Sequence, residues 1–136
     1  MGYVVLGAWI IQASVGAWLS VRWIFGGGGG ALTVVTHATA AVASLAAWTV
    51  FLVTGVVAWA WVAFVIVTAA NALGDSMMVG RYRRSAGSRG FWRDYGAAIA
   101  AVFRGRMPWP VAFHALFAGV VYFTCLGVCI SATVAG

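Results

Sequence analysis

The sequence contains very little charge. Of its 136 residues only 7% are charged, and lysine and glutamate are absent altogether. Hydrophobic residues make up 64% of the chain and the mean hydropathy is +1.01, whereas a soluble domain is about one-quarter charged and about half apolar. A water-soluble fold of this length has too little interior to bury so much apolar surface. The composition therefore excludes a soluble globular protein and predicts an all-α membrane protein, with residues 1–136 forming a single membrane domain.

Groups that commonly perform catalysis are scarce as well. Asp75 and Asp94 are the only carboxylic side chains, which leaves few candidates for general acid–base chemistry. The sequence has no nucleophile elbow or zinc-protease helix, and the five glycines at 26–30 lack the lysine of a phosphate-binding loop. The two cysteines, Cys125 and Cys129, are one helical turn apart and are predicted to be small packing residues. These absences favour a protein without independent catalytic activity.

Long apolar runs are abundant. A membrane-spanning helix needs about 20 consecutive apolar residues. Glycines 26–30 are expected to break the chain after the first such run, and Thr54-Gly55 to divide a later run that is too long for one crossing. The predicted spans are residues 3–25, 31–54, 58–80 and 111–134. The short connections after the first and second spans predict a four-helix up-down bundle.

The arginines are concentrated in one connection. Seven of the eight lie between Arg81 and Arg106, in a basic loop predicted over residues 81–110. Its first part is expected to be solvated, and residues 91–103 to form a short amphipathic helix in the membrane interface. Arginine beside a span marks the cytoplasmic side, so both termini are expected outside the cytoplasm, in a bacterial cytoplasmic membrane.

The basic loop also indicates partners. Arginines beside membrane spans suit anionic lipid headgroups, and this explanation of the net charge of +6 is preferred to nucleic-acid binding. The many aromatic residues are consistent with contacts to lipid, to a second copy of the chain in a homodimer, or to a larger membrane complex.

Each predicted span carries a polar group near its cytoplasmic end. His37 and His114 lie near the beginning of spans two and four, roughly 5–9 Å inside the hydrocarbon boundary at 1.5 Å per residue. Asp75 lies near the end of span three and Arg22 near the end of span one. Ionisable groups inside a membrane are costly and are often functional. This polar layer is therefore the candidate site.

A weak internal repeat relates the two histidines. Residues 32–42 align with residues 109–119 so that His37 matches His114. If the chain consists of two repeated helical hairpins, they are related by an axis along the membrane normal. Spans two and four are then diagonal, and the two imidazoles face each other across the core.

The most specific functional hypothesis is a b-type haem used in electron transfer, with His37 and His114 as its two axial ligands. Histidines on diagonal helices supply nitrogens on opposite faces of the iron. The other residues assigned to the haem are Gly16 and Gly74, for close approach of the porphyrin edge, and Arg22 and Arg81, for pairing with the propionates.

Two alternatives stay open. His37, His114 and Asp75 are adequate ligands for a divalent cation, or could relay protons, although the outer halves of spans two and three offer no polar path. Alternatively, the protein is an accessory or scaffold subunit of a larger complex. In that case the histidines bond to backbone carbonyls or headgroups, and Asp75 pairs with Arg22 or Arg81.

Overall fold

The structure is a computed structural model that describes residues 1–27 and 30–136. Within these residues the chain forms five helices and no strands. Four of the helices, α1, α2, α3 and α5, are long and apolar enough to cross a membrane, and the chain is an integral membrane protein. The helices are α1 (Gly2–Phe25), α2 (Ala31–Thr54), α3 (Val57–Ala86), α4 (Phe91–Phe103) and α5 (Trp109–Ala135).

Glycine and proline set several helix ends where the sequence predicts them. Gly55 ends α2 in the left-handed conformation (φ 70°), and its N–H donates to the carbonyl of Phe51; glycine adopts this conformation without steric cost. Helix α5 begins at Trp109, two residues earlier than predicted. Pro110 is tolerated in the first turn, because the N–H that proline lacks would have no helical partner there. Of the glycine break predicted at 26–30, residues 28 and 29 lie outside the described residues.

Helix α3 is longer than the sequence predicts. It continues past Gly80 to Ala86, so residues 81–86 are helical rather than part of a solvated loop. Its last turn is basic and ends at Gly87, which has φ 73° and donates its N–H to the carbonyl of Arg83. Cations near a helix C-terminus are stabilised by the helix dipole, which explains why an arginine-rich segment prolongs the helix beyond the apolar run.

The four long helices pack as a closed ring. Helices α1 and α3 each pack against both α2 and α5. The main apolar core has Trp48 at its centre, fully buried, with its ring centroid 5.6 Å from that of Trp9. The Trp48 indole N–H donates to the carbonyl of Gly2 at 3.2 Å, which satisfies its only polar group. The buried members of this core are Val5, Trp9, Ala47, Trp48, Ala60, Ala63, Val67, Val121, Cys125 and Cys129.

Helix α4 packs against the C-terminal part of α3. Its bounds agree with those of the predicted amphipathic helix, and small residues form the face that packs against α3. The small residues Ala98, Ala101 and Val102 are buried, whereas Phe91 and Phe103 are exposed. The small side chains allow α4 to lie close to α3 and to form a second apolar core with Met78, Val79 and Met107.

Asp94 holds the connection between α3 and α4. Its carboxylate is buried and accepts hydrogen bonds from Arg83 Nε (2.6 Å), Ser88 Oγ (2.8 Å) and the backbone N–H of Arg89 (2.9 Å). The bond from the Arg89 backbone, with those from Ser88 and Arg83, lowers the pKa of Asp94 below its ordinary value of 3.8, although burial opposes this. The charged carboxylate therefore ties the end of α3 to the start of α4.

We predict that Asp94→Asn loosens residues 87–90, because the amide carries no charge for Arg83 and has only one oxygen to accept. Trypsin should cleave after Arg89 several-fold faster than in the parent chain. Ser85→Ala is the matched control, since Ser85 Oγ donates only to the carbonyl of Tyr82 in its own helix. Equal cleavage rates in Asp94→Asn and the control would contradict this assignment.

Acid should loosen the same connection. Because the pKa of Asp94 is lower in the folded chain than its ordinary value of 3.8, its stabilisation is fully present above that value. It is lost as the pH falls through the folded-state pKa. We expect hydrogen exchange at the Arg89 amide, corrected for the intrinsic effect of pH, to accelerate in that acidic range in the parent chain but not in Asp94→Asn. An unchanged corrected rate in the parent chain would contradict this.

Candidate functional site

The two histidines lie on the same side of the main apolar core along their helices. His37 precedes the core residues of α2, and His114 precedes those of α5. The residues that they contact, on α1 and α3, also lie on the arginine-rich side of the main core. The two histidines of the predicted polar layer therefore lie close together in the fold, whereas the bonding partner of Asp75 differs from the prediction.

His37 lies on the backbone of α3. Its Nδ1 is 2.9 Å from the carbonyl oxygen of Ala70, and because a carbonyl only accepts, Nδ1 carries the proton and donates. The lone pair of the neutral ring is then on Nε2. A Cβ atom added to Gly74, one helical turn after Ala70, would be 3.3 Å from Cε1 of the ring. Gly74 thus gives the imidazole room to reach the α3 backbone.

His114 lies on α1 in a corresponding way. Gln12 Nε2 donates to the backbone carbonyl of His114 at 2.9 Å and lies 3.5 Å from the ring Nε2. A Cβ atom added to Gly16, one turn after Gln12, would be 3.1 Å from His114 Cε1. Two buried polar atoms of this contact, His114 Nδ1 and Gln12 Oε1, have no hydrogen-bond partner among the described residues.

The two imidazoles are close to each other. Their ring centroids are 6.2 Å apart and the ring planes are inclined by 75°. One ring is held on α3 and the other on α1, so each histidine of the pair is fixed by a helix other than its own. Neutral imidazoles in such a pair are suitable ligands for a transition metal.

Gly16 and Gly74 are predicted to admit a porphyrin edge, but their contacts are with the histidines themselves. Both positions are tight against an imidazole Cε1 atom. In the structure each glycine therefore leaves space for one imidazole ring to pack against the neighbouring helix.

Asp75 has a different partner from those predicted. Its Oδ2 accepts a hydrogen bond of 2.9 Å from the hydroxyl of Tyr95 on α4. This bond, together with burial and the nearby negative charge, raises the pKa of Tyr95. Across residues 1–27 and 30–136 no three His, Cys, Asp or Glu side chains are grouped closely enough to hold a metal ion. Asp75 therefore does not complete a three-ligand site with the two histidines.

The arginines assigned to propionates are at the surface. The Arg22 guanidinium lies 5.0 Å above the ring of Trp18, and Arg81 is exposed. In the part of the chain that the structure describes, the one ion pair joins Arg83 to Asp94. Neither Arg22 nor Arg81 is thus paired with Asp75.

Sequence reasoning did not identify the direct partners of the histidines. Each ring packs against two residues that lie one turn apart on the neighbouring helix. These are Gln12 and Gly16 for His114, and Ala70 and Gly74 for His37. Residues four apart lie on the same helix face, so the pattern is visible in the sequence. It does not reveal which helix carries the ring that fills each position.

Comparison of the chain with protein-family models, with curated proteins and with solved structures found no match. We therefore infer the function from the residues of the site.

We predict that Gly16→Val destabilises the protein, because the new side chain must displace the His114 ring. Overpacking of this kind typically costs about 1–3 kcal/mol. Gly7→Val is the matched control, since Gly7 is in the same helix and a Cβ there would have no neighbour within 4 Å. Thermal unfolding in detergent should show a lower melting temperature for Gly16→Val than for the control. Equal melting temperatures would show that the ring is not seated on Gly16.

Proposed function

We propose that this protein is a small b-type cytochrome of the membrane, with His37 and His114 as the two axial ligands of one haem. The distance between the rings is the observation that carries the proposal. An imidazole nitrogen binds a first-row metal at about 2 Å, and the ring centre lies roughly 1 Å beyond it, so two rings that share one ion would have centroids up to about 6 Å apart. The observed separation is 6.2 Å.

The environment of His37 supports a ligand role. The Ala70 carbonyl accepts from Nδ1 at 2.9 Å, which fixes the ring's orientation and tautomer and leaves Nε2 free. Metal-binding histidines commonly donate their other ring N–H to a carbonyl or carboxylate in this way. The backbone of α3 thus prepares His37 to bind a metal through Nε2.

The environment of His114 supports the same role by a different observation. A buried polar atom without a partner costs about 1–3 kcal/mol, and His114 Nδ1 is such an atom, as is the neighbouring Gln12 Oε1. A metal ion bound at Nδ1 would give this atom the partner that it lacks and would offset that cost. The donor set therefore fits a haem iron, which supplies one-electron chemistry when bound.

The rest of the chain would create the surroundings that a membrane haem requires. The main apolar core follows the histidines along α2 and α5, and the second apolar core includes Ala112 and Ala115, on either side of His114 in the sequence. Both cores would limit the access of water to a bound haem. An apolar, water-excluding shell influences the reduction potential of a bound metal. We propose electron transfer as the function on this basis, with the propionate roles of Arg22 and Arg81 remaining predictions.

The up-down topology belongs to the same proposal. Trp48, near the end of α2, bonds to Gly2 at the start of α1, and Trp61, near the start of α3, bonds to Thr133 at the end of α5. Both contacts support antiparallel neighbours. By the positive-inside rule, we propose that the arginine-rich end faces the cytoplasm and that both termini lie outside.

The histidine contacts also support the repeat of two helical hairpins. Exchanging α1 with α3 and α2 with α5 converts the contact of His37 with Gly74 into that of His114 with Gly16. In each contact a residue one turn before the glycine supplies a hydrogen bond, with Ala70 binding the His37 ring and Gln12 binding the His114 backbone.

The test is an absorption spectrum of the purified protein in detergent, oxidised and then reduced with dithionite. We expect a Soret band that shifts on reduction, with α and β bands of a low-spin haem. His37→Ala and His114→Ala should each abolish these bands while the protein still inserts into the membrane. Thr68→Ala is the control, since Thr68 Oγ1 donates only to the Phe64 carbonyl of its own helix, and it should keep the full spectrum.

Other outcomes discriminate between the alternatives. A colourless protein, even after haem supplementation, would contradict the proposal and favour an accessory subunit. The alternative of a divalent cation held by His37, His114 and Asp75 requires Asp75 to exchange its bond with Tyr95 for the metal. In that case Asp75→Asn should weaken cation binding as much as either histidine substitution. Haem bands that survive both single histidine substitutions would also contradict the proposed ligands.

A further inference from the structure

Four arginines surround two adjoining cavities at the surface, where the ends of α3 and α4 meet the start of α5. The first cavity has a volume of about 260 Å³ and the second about 440 Å³. They share Ser85, Arg106 and Met107 in their walls. Arg104 lines the first, whereas Arg81 and Arg84 line the second. We refer to the two cavities together as the arginine groove.

No carboxylate neutralises the arginine groove within residues 1–27 and 30–136. Asp94 is bound by Arg83, Ser88 and Arg89, and Asp75 by Tyr95. The one ion pair of the described chain does not include a groove arginine. Like charges held close together repel one another, and an anion bound among them removes this cost. The groove is therefore a site for an anion of high charge.

Guanidinium groups favour phosphate among the anions. The planar fork of arginine matches two oxygens of one phosphate and can form two parallel hydrogen bonds. The groove divides its arginines between two cavities, with Arg106 reaching both. This arrangement suits two phosphate groups joined by a short link better than a single phosphate.

The surroundings of the groove favour a lipid as the source of the phosphates. The groove lies at the ends of the membrane-spanning helices α3 and α5. Phe103 and Trp109, next in sequence to Arg104 and Pro108, are each 72% exposed. Exposed aromatic side chains beside arginine are typical of the membrane–water interface, so acyl chains of a bound lipid would find apolar contacts beside the groove.

We propose that the arginine groove binds the headgroup of an anionic phospholipid that carries two phosphodiester groups. This site shares Arg81 with the predicted propionate contacts but does not include the histidine pair, and lipid binding there does not depend on haem. Basic cavities between membrane helices are known to hold lipid headgroups of this chemistry. The lipid binds through Arg81, Arg84, Arg104 and Arg106, one phosphate in each cavity.

The test is native mass spectrometry of the delipidated full-length protein in detergent. The probes are cardiolipin, which has two phosphodiesters, phosphatidylglycerol, which has one, and the zwitterionic phosphatidylcholine. We expect cardiolipin to bind on the order of tenfold more tightly than phosphatidylglycerol. Its second phosphate meets additional arginines, and each arginine near an anionic headgroup raises the affinity about fivefold. Phosphatidylcholine should show no specific retention.

The double substitution Arg84→Gln with Arg106→Gln tests the groove itself. It should weaken cardiolipin binding on the order of tenfold or more by the same estimate. The control combines Arg89→Gln with Arg93→Gln, which removes the same charge from exposed positions outside the groove walls and should change binding less than twofold. Replacing Arg84 and Arg106 by lysine should restore only part of the affinity, since lysine keeps the charge but lacks the fork.

Three results would overturn the proposal. Equal weakening in the groove and control variants would mean that net charge alone attracts the lipid. Equal affinities for cardiolipin and phosphatidylglycerol would contradict the two-phosphate site. Thermal stabilisation by millimolar inorganic phosphate, lost in the groove variant and not competed by cardiolipin, would show that the ligand is a soluble phosphate. Size-exclusion chromatography of each variant checks that the fold is retained.

Discussion

Each imidazole of the polar layer lies directly on the backbone of a neighbouring helix, and the rest of the site depends on that contact. In hydrocarbon a polar ring must find partners within the protein, because no water is present to supply them. His37 bonds to the Ala70 carbonyl, and Gly74 has no side chain to crowd the ring at this position. The same freedom at Gly16 brings His114 against α1. Glycine therefore acts here through the space it leaves, and the facing helix fixes how each ring is oriented.

The two carboxylates have structural partners, and this determines the charge of the protein's basic end. Asp94 binds the residues before α4, and Asp75 binds Tyr95 within α4. Together they attach α4 to the end of α3 at two consecutive positions of α4. Since the chain has no other acidic side chain, no carboxylate side chain is left to pair with the arginines around the surface cavities. The way in which α4 is attached thus explains why that surface attracts anions.

The sequence predicts the helices better than it predicts the contacts between them. Apolar run length and the glycine at position 55 locate α2 and its end correctly, because both act within a few residues. The end of α3 is wrong by six residues, because the prediction stops where the apolar run stops and arginines can prolong a helix. Counting residues also gives the depth of a side chain but not the direction it faces. The residue count therefore predicts that Asp75 lies with the histidines. In the structure α4 packs against α3, and the hydroxyl of Tyr95 donates a hydrogen bond to Asp75.

Two adjacent residues of α3 connect the histidine pair with the basic end of the protein. Gly74 receives the His37 ring, and the next residue, Asp75, bonds to α4. Any rotation of α3 that moved Asp75 away from Tyr95 would also turn Gly74 away from His37, since adjacent residues of a helix rotate together. The attachment of α4 thus helps to fix the helix face on which His37 rests. The basic end, which has no direct contact with the histidine pair, contributes in this way to the geometry of that pair.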